Sequence, residues 1–535
     1  MAKQLDNVGN DGIYETVIIG AGIAGLTAAY MLRDKNILLL EQEDRFGGRI
    51  LSEKVNEATN NIGTQFFTEE ETSFVHLIDE LGVERVSHDM NSAPLALHVN
   101  NKLYTDFKSF LSLKLVLDGI RLFSRMYRKS KIFQLPMDDP RWQKLAKQNV
   151  GELLQGYGPE ILSLVGAYIA PKPEQVSAGF GAGLTMDLIK TGDFAYVTGG
   201  FQKITDAMVD KLDGKVMKGA GVTKIEEKDG VVSTIFTKDG EEHVVKSKSA
   251  IMATPTHIAL ELIPQLPDWK KEALAKVKYG PITTVSIFLK RSIPWKRWVG
   301  AFSSTLIFQG INDCTYKTEE DKNEDNPIIY NFFIGIPPDE KEEIDAFFAK
   351  SDEEIVALTL EDFKLMIPDA ADIEKYITGT KVTRFRTGEV DTTPEFFVEL
   401  LPKLQKPVGN IHFCGDYSDN RVFVDAAAYS GMRVARALGS KYVVSEEEEI
   451  RFPKEPTLGG AFGWITIILN ILLIAGGFFL PGGYGTTLSI GAGLLLVITT
   501  ALPSFFPPLK EIYQALLGLT IVFSGVIGLL AYFFR

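Results

Sequence analysis

The chain has 535 residues, enough for two or three domains with buried cores, so length alone excludes little. Its net charge of −13 excludes a binder of nucleic acid, which would carry a basic excess to neutralise phosphates. Two cysteines without a CxxC motif and six histidines without ligand spacing exclude a disulfide scaffold and a zinc site, and no metal is expected.

The N-terminus, MAKQLDNVGNDGIYE, lacks the basic-then-apolar pattern of a secretory signal, so the segment after it is expected in the cytoplasm. Residues 14–50 read strand, glycine turn, helix, strand, glycine turn. YETVIIG is a short buried strand, IAGLTAAYMLRDK has helical spacing and NILLLE is a second strand, which makes a βαβ opening. In its GxGxxG turn Gly20 permits the tight bend, Gly22 lets backbone approach a pyrophosphate, and Gly25 lets helix and strand pack closely. The free N–H groups of the helix start, at Ile23 and Ala24, then meet the anionic phosphates. Glu41 closes the second strand, where its carboxylate can accept hydrogen bonds from ribose hydroxyls. "DRFGGRI" follows with Gly47, Gly48 and Arg49, a second glycine turn with a cation for the phosphates.

Residues 102–136 hold eight Lys or Arg and two Asp in an otherwise acidic chain. Lys114, Asp118, Arg121, Arg125 and Arg128 repeat at helical spacing, and Leu113, Val116, Leu117, Ile120, Phe123 and Tyr127 share another face. Two readings stand: a basic helix in the headgroup region of an anionic membrane, or a core helix with a solvated side.

Residues 219–255 alternate and turn twice at "KDG", which predicts a β-meander. Strands are expected at 282–289 and 328–334, a charged helix at 352–366, and a strand IHFCGD leading into a helix VFVDAAAYSGMRVARALG. SEEEEIRFPKEP, 445–456, reads as a solvated linker. From Thr457 to Leu509 there is no Asp, Glu, Lys, Arg or His, and three apolar runs, 461–480, 485–502 and 512–534, have the length of membrane spans.

With its glycine turn, glutamate and GGR, the chain resembles the flavin-containing amine oxidase superfamily, which includes phytoene desaturases and protoporphyrinogen oxidases. The resemblance covers nearly all of 14–440 and implies FAD. It places Gly20, Gly22, Gly25, Glu41, Gly48 and Arg49 on the ADP half. "NNIGTQFF" looks like the segment that passes the flavin ring, with Gly63, Thr64 and Gln65 near it, and Val222 of "GAGVTKI" matches the valine that brackets adenine. In "FCGDYSDNRVFVDAAAYSG", Gly415 and Asp416 match residues that reach the ribityl chain and phosphate. Val424 begins a helix whose amino end faces the flavin pyrimidine. The resemblance also implies a cavity aromatic at Phe423, with no other catalytic side chain assigned. The lysine that amine oxidases place six residues after a proline is Ile287 here, counted from Pro281, while Lys290 is read as a surface residue.

The implied fold is α/β: a Rossmann-type FAD-binding domain with an interleaved α+β substrate domain and a C-terminal bundle of transmembrane helices. Segments 14–69, 216–255 and 401–444 build the first domain and 70–215 and 256–400 the second. The linker and a transmembrane region, 457–535, follow. The expected activity is that of a multi-pass, membrane-anchored FAD oxidoreductase with a cytoplasmic catalytic domain. It would take a hydride equivalent from an apolar, carotenoid-, isoprenoid- or porphyrinogen-like small molecule or lipid, with oxygen or quinone as acceptor. Two alternatives stay open: oxidation of a small amine or amino acid, and a non-redox flavoprotein or isomerase.

Overall fold

The computed structural model describes residues 3–4 and 12–442, apart from 90–94, 100–101, 106–112, 134, 136, 159–160, 163–164, 166–172, 192, 304, 317, 319 and 422. They fall almost wholly in one compact unit, 1–186 with 193–447; the other unit, 187–192 with 448–535, lies almost entirely outside them.

An eight-stranded sheet begins the unit. The strands Tyr14–Ile19 and Ile37–Leu40 pair in parallel, and their apolar runs, 17–19 and 37–40, suit strands covered on both faces. The helix between them, Ile23–Met31, is buried at all nine positions and so has no polar face. Glu241–Met252 pairs in parallel with Tyr14–Ile19 on one side and Ile411–Phe413 on the other. Ile19 lies opposite both Leu40 and Met252, and Met252 opposite Phe413. Gly20, Glu41, Ala253 and Cys414 therefore all leave the sheet at one carboxyl edge, where open α/β sheets bind ligands.

The meander forms as its sequence predicts, from Gly221–Lys228, Val231–Lys238 and Glu241–Met252. Its turns put Asp229, Gly230, Asp239 and Gly240 at φ of 52°, 78°, 51° and 78°. Positive φ at both central residues is what a two-residue hairpin turn requires.

In a second, seven-stranded sheet, Tyr279–Leu289 lies between the edge strand Ile377–Val390 and Ile328–Gly335. It continues through Gly310–Asp313 and Gly300–Ser303, and the helix Asp352–Met366 packs its buried side, Ile355, Leu360 and Phe363, into the same core. Both cysteines, Cys314 and Cys414, are buried and free.

The basic segment forms a helix, Leu113–Phe133. The side chains of its expected apolar face lie outside the described residues. Those described, Leu122, Met126 and Phe133, are buried, and Phe133 stacks on Trp142 at 5.8 Å.

The expected C-terminal bundle of transmembrane helices, and with it the multi-pass localisation, must be corrected. No helix among the described residues is long and apolar enough to cross a membrane; the longest, Leu113–Phe133, is interrupted by charge at each turn. The runs 461–480, 485–502 and 512–534 and the linker 445–456 lie outside the described residues.

Candidate active site

The glycine turn is built as its spacing requires. Gly20 adopts φ +98°, and a Cβ on Gly25 would stand 1.9 Å from the Gly20 carbonyl oxygen, so only glycine lets helix and strand approach this closely. A Cβ on Gly22 would meet nothing within 4 Å, which marks open space above the turn. The helix starting at Ile23 and Ala24 has no side-chain cap at Gly22, so its first N–H groups keep their donor capacity. The second glycine turn lies alongside: Gly47 N–H donates to the Ala21 carbonyl at 2.8 Å, and Gly48 takes φ +58°. Glu41 accepts from the Ala21 N–H at 2.6 Å and from the Glu43 N–H at 2.9 Å, which pins its carboxylate beside the turn.

Arg49 leaves this loop and donates through Nη1 to the Gly388 carbonyl at 2.6 Å and to Asp416 Oδ2 at 2.7 Å. Asp416 follows Gly415, whose φ of +151° is closed to other residues by the Tyr417 ring, 2.6 Å from a notional Cβ. Beside them Glu389 is half-buried, and its carboxyl is pushed up to about 6, chiefly by burial and further by Asp416, against the pull of Arg49. Gly63 packs so tightly that a Cβ would lie 1.8 Å from the Arg49 carbonyl oxygen, and Thr64 N–H donates to the same oxygen at 3.3 Å. Val222 is half-buried on the meander, next to a register shift in its pairing.

At the other end, Phe423 opens the helix Phe423–Ala437 with φ +45°, rare for a bulky residue, and keeps 41% of its surface exposed. The buried Arg421–Asp425 pair holds this bend. Asp425 accepts from the Phe74 N–H at 2.8 Å, and Arg421 donates to Ser73 Oγ at 2.7 Å while lying 3.5 Å over the Tyr429 ring. Val424 is buried just inside the helix.

The structure thus brings Gly20, Gly22, Gly25, Glu41, Gly48, Arg49, Gly63, Thr64, Gly415 and Asp416 to one edge. Sequence reasoning missed Gly388, Glu389, Arg421, Asp425 and Gly431. A Cβ on Gly431 would stand 2.3 Å from the Ala24 carbonyl oxygen, so it seats the C-terminal helix on the first one. An isolated glycine inside a helical pattern was its available signal.

Unpartnered polar atoms show that this edge fits a dinucleotide. Both amide atoms of Gln65, Thr254 Oγ1 and Tyr417 Oη are buried without a hydrogen-bond partner in the protein. Thr254 lies against Gly20, Tyr417 against Gly415, and Gln65 in the segment expected along a flavin ring. Native proteins rarely leave such groups unmatched, and FAD offers donors and acceptors along its whole length.

A cavity starts at the next residue, Phe66, and is lined also by Tyr196, Phe302, Ile311, Asn312 and Phe333. Its empty volume is about 280 Å³ with the mouth counted. Tyr196 Oη donates to Asn312 Oδ1 at 3.3 Å, and burial holds the phenol far above its usual range, neutral and a donor. On Tyr279–Leu289, Thr284 and Ser286 face the segment 60–67, bonding the Ile62 carbonyl at 2.9 Å and Asn60 Nδ2 at 3.1 Å. Ile287 points into the opposite core, and exposed Lys290 bonds the Lys375 carbonyl. The strand, YGPITTVSIFL, carries no lysine.

The family described as flavin containing amine oxidoreductase matches residues 23–439. The chain is 23% identical over 473 residues to the probable flavin-containing monoamine oxidase A of Dictyostelium discoideum, covering 81% of this chain and 99% of that one. Its fold is similar to that of putrescine oxidase bound to putrescine, with TM-score 0.65, 20% identity and coverage of 79% and 98%. It is also similar to a putative protoporphyrinogen oxidase from an Exiguobacterium species, with TM-score 0.60, 17% identity and the same coverage.

Proposed function

The chain belongs to the flavin containing amine oxidoreductase family, and on that premise we propose that it oxidises a small amine with an apolar body. As a member it is an FAD-dependent oxidoreductase. The cofactor supplies the sink for a hydride equivalent removed from the substrate. What the chain supplies is binding, orientation and exclusion of water.

In this reading Gly20, Gly22, Gly25, Ile23 and Ala24 offer backbone to the pyrophosphate, and Glu41 holds the ribose. Val222 lies against adenine. Gly48, Arg49, Gly415 and Asp416 hold the phosphate and ribityl region. Gly63, Thr64 and Gln65 run along the flavin, and the helix beginning at Phe423 and Val424 points its amino end at the ring. Segments 14–69, 216–255 and 401–444 form the cofactor domain, and 70–215 with 256–400 form the substrate domain.

The cavity lining supports the substrate class. Its aromatic walls take a hydrocarbon body, and none of the residues named there is charged, so an ammonium ion would enter without a counter-charge. The amine therefore enters neutral, with the Tyr196–Asn312 pair as its polar contact.

Anaerobic mixing tests this reading. Small aralkylamines should bleach the flavin absorbance, faster as pH rises toward the pKa of the amine, and air should restore the colour, in keeping with oxygen as acceptor. Bleaching by isoprenoid lipids and not by amines, or recovery only with quinone, would overturn it.

A further inference from the structure

A second cleft, sharing no lining residue with the substrate cavity, opens where the strand Ile377–Val390 ends. Its apolar wall is Val277, Pro394, Phe396 and Leu400, the last two on the π-helical turn Phe396–Leu400. Its lysines already have acidic partners: Lys276 Nζ bonds Glu395 Oε1 at 3.0 Å and Lys278 Nζ bonds Asp339 Oδ1 at 2.5 Å.

Two acceptors in this cleft lack a donor. Asp391 is 7% exposed, and its Oδ1 is buried with no hydrogen-bond partner in the protein. Gln175 donates from Nε2 to Asp339 Oδ2 at 3.4 Å, which leaves its carbonyl Oε1 as the second acceptor, also buried and unpartnered. A buried acceptor left unmatched keeps its full cost of desolvation, and proteins seldom place two in one cleft. A calcium ion needs 6–8 oxygen ligands. One carboxylate oxygen and one amide oxygen, in a cleft that also has a hydrocarbon wall, suit an N–H donor attached to carbon.

We propose that this cleft binds the primary ammonium group of an alkylammonium ion, held by Asp391 Oδ1 and Gln175 Oε1, with its carbon body on Val277, Phe396 and Leu400. The site stands apart from the oxidation proposed above, and a chain that oxidised no amine would still hold the ion.

Burial, then the nearby Asp339, pushes the Asp391 carboxyl up to about 6 against the pull of Lys278. The charged groups around it are Asp339, Lys278, Lys276, Glu395 and Glu174. Ionised Asp391 attracts the cation and protonated Asp391 does not, so binding is present above about pH 6 and is lost as pH falls through that value.

The test is calorimetric titration of the FAD-loaded protein with tert-butylammonium, whose nitrogen-bearing carbon carries no hydrogen and cannot be oxidised. Tetramethylammonium, which has charge but no N–H donor, is the control. The wild type should bind tert-butylammonium at about pH 8, about tenfold tighter than tetramethylammonium, and lose it at about pH 5. Asp391→Asn should weaken binding about tenfold or more and Gln175→Leu about threefold or more, with circular dichroism and flavin absorbance unchanged. Should Asp391→Asn not fold, Gln175→Leu and the pH series decide. The proposal fails if the wild type gives no binding heat, if tetramethylammonium binds equally well, or if folded variants bind as the wild type does.

Discussion

Arg49 and Asp416, 367 positions apart, meet through a single Nη1–Oδ2 contact of 2.7 Å that ties the second glycine turn to the end of the last strand. The same guanidinium nitrogen also donates to the Gly388 carbonyl at 2.6 Å, so one side chain joins three segments of the chain at the cofactor edge.

Arg49→Met should remove the bonds to the Gly388 carbonyl and to Asp416 and leave Asp416 without this cation. Retention of FAD, read as the ratio of flavin to protein absorbance after dialysis, should fall about tenfold or more. Glu389 adds a pH dependence. Its carboxyl, raised to about 6, is neutral below that value and joins Asp416 as a second anion above it. Affinity of the stripped protein for anionic FAD should therefore decline as pH rises through about 6, and Glu389→Gln should remove the decline.

Two glycines of the first turn, Gly22 and Gly25, and Gly431 of the helix packed on it separate packing from ligand approach. Gly22→Ala meets no protein atom and should leave the stability of cofactor-free protein within about 0.5 kcal/mol while lowering FAD affinity about tenfold. Gly25→Ala and Gly431→Ala put a methyl group 1.9 Å and 2.3 Å from backbone oxygens and should each cost about 3 kcal/mol or more with or without FAD. Thermal denaturation of both forms distinguishes the two outcomes.

Lys270 is fully buried and donates to the carbonyls of Lys403, Leu404 and Lys406 at 3.0, 2.8 and 2.8 Å, with its ammonium 3.8 Å from the Phe413 ring centre. Lys270→Met should destabilise by about 3 kcal/mol, because it orphans three carbonyls behind the strand that delivers Gly415. Burial, with Arg433 adding to it, pushes the amine down to about 7. Between about pH 7 and 10 the unfolded chain binds a proton that the folded one does not, so this group makes the wild type more stable as pH rises. The slope is up to about 1.4 kcal/mol per pH unit, and it should be missing from the methionine variant in denaturant titrations at several pH values.

Gly310 lines the cavity proposed for the substrate, and a Cβ there would make ordinary contacts with the Phe302 ring at 3.4 Å and the Ala301 carbonyl oxygen at 3.6 Å. Gly310→Val should fold and fill the cavity. The KM for a bulky aralkylamine should rise about tenfold or more, while that for a short alkylamine stays within about twofold. Equal changes for both amines would mean that substrate binds elsewhere.

Sequence alone determined the βαβ opening, the meander and the two glycine turns, because each is a local pattern. Turn glycines, alternation at the "KDG" hairpins and the GGR after Glu41 carry their geometry within a few residues. It also pointed to membrane spans, which the described helices do not bear out. What only the tertiary structure decided depends on the register of strands distant in the chain. The parallel pairing of Ile19 with Met252 and of Met252 with Phe413 sets Gly415 and Asp416 beside Arg49. No local spacing encodes that meeting, or the tight seat of Gly431 on Ala24. Nor does it show that Asp391 and Gln175 share a cleft, since an unpartnered oxygen is visible only once every neighbour is in place.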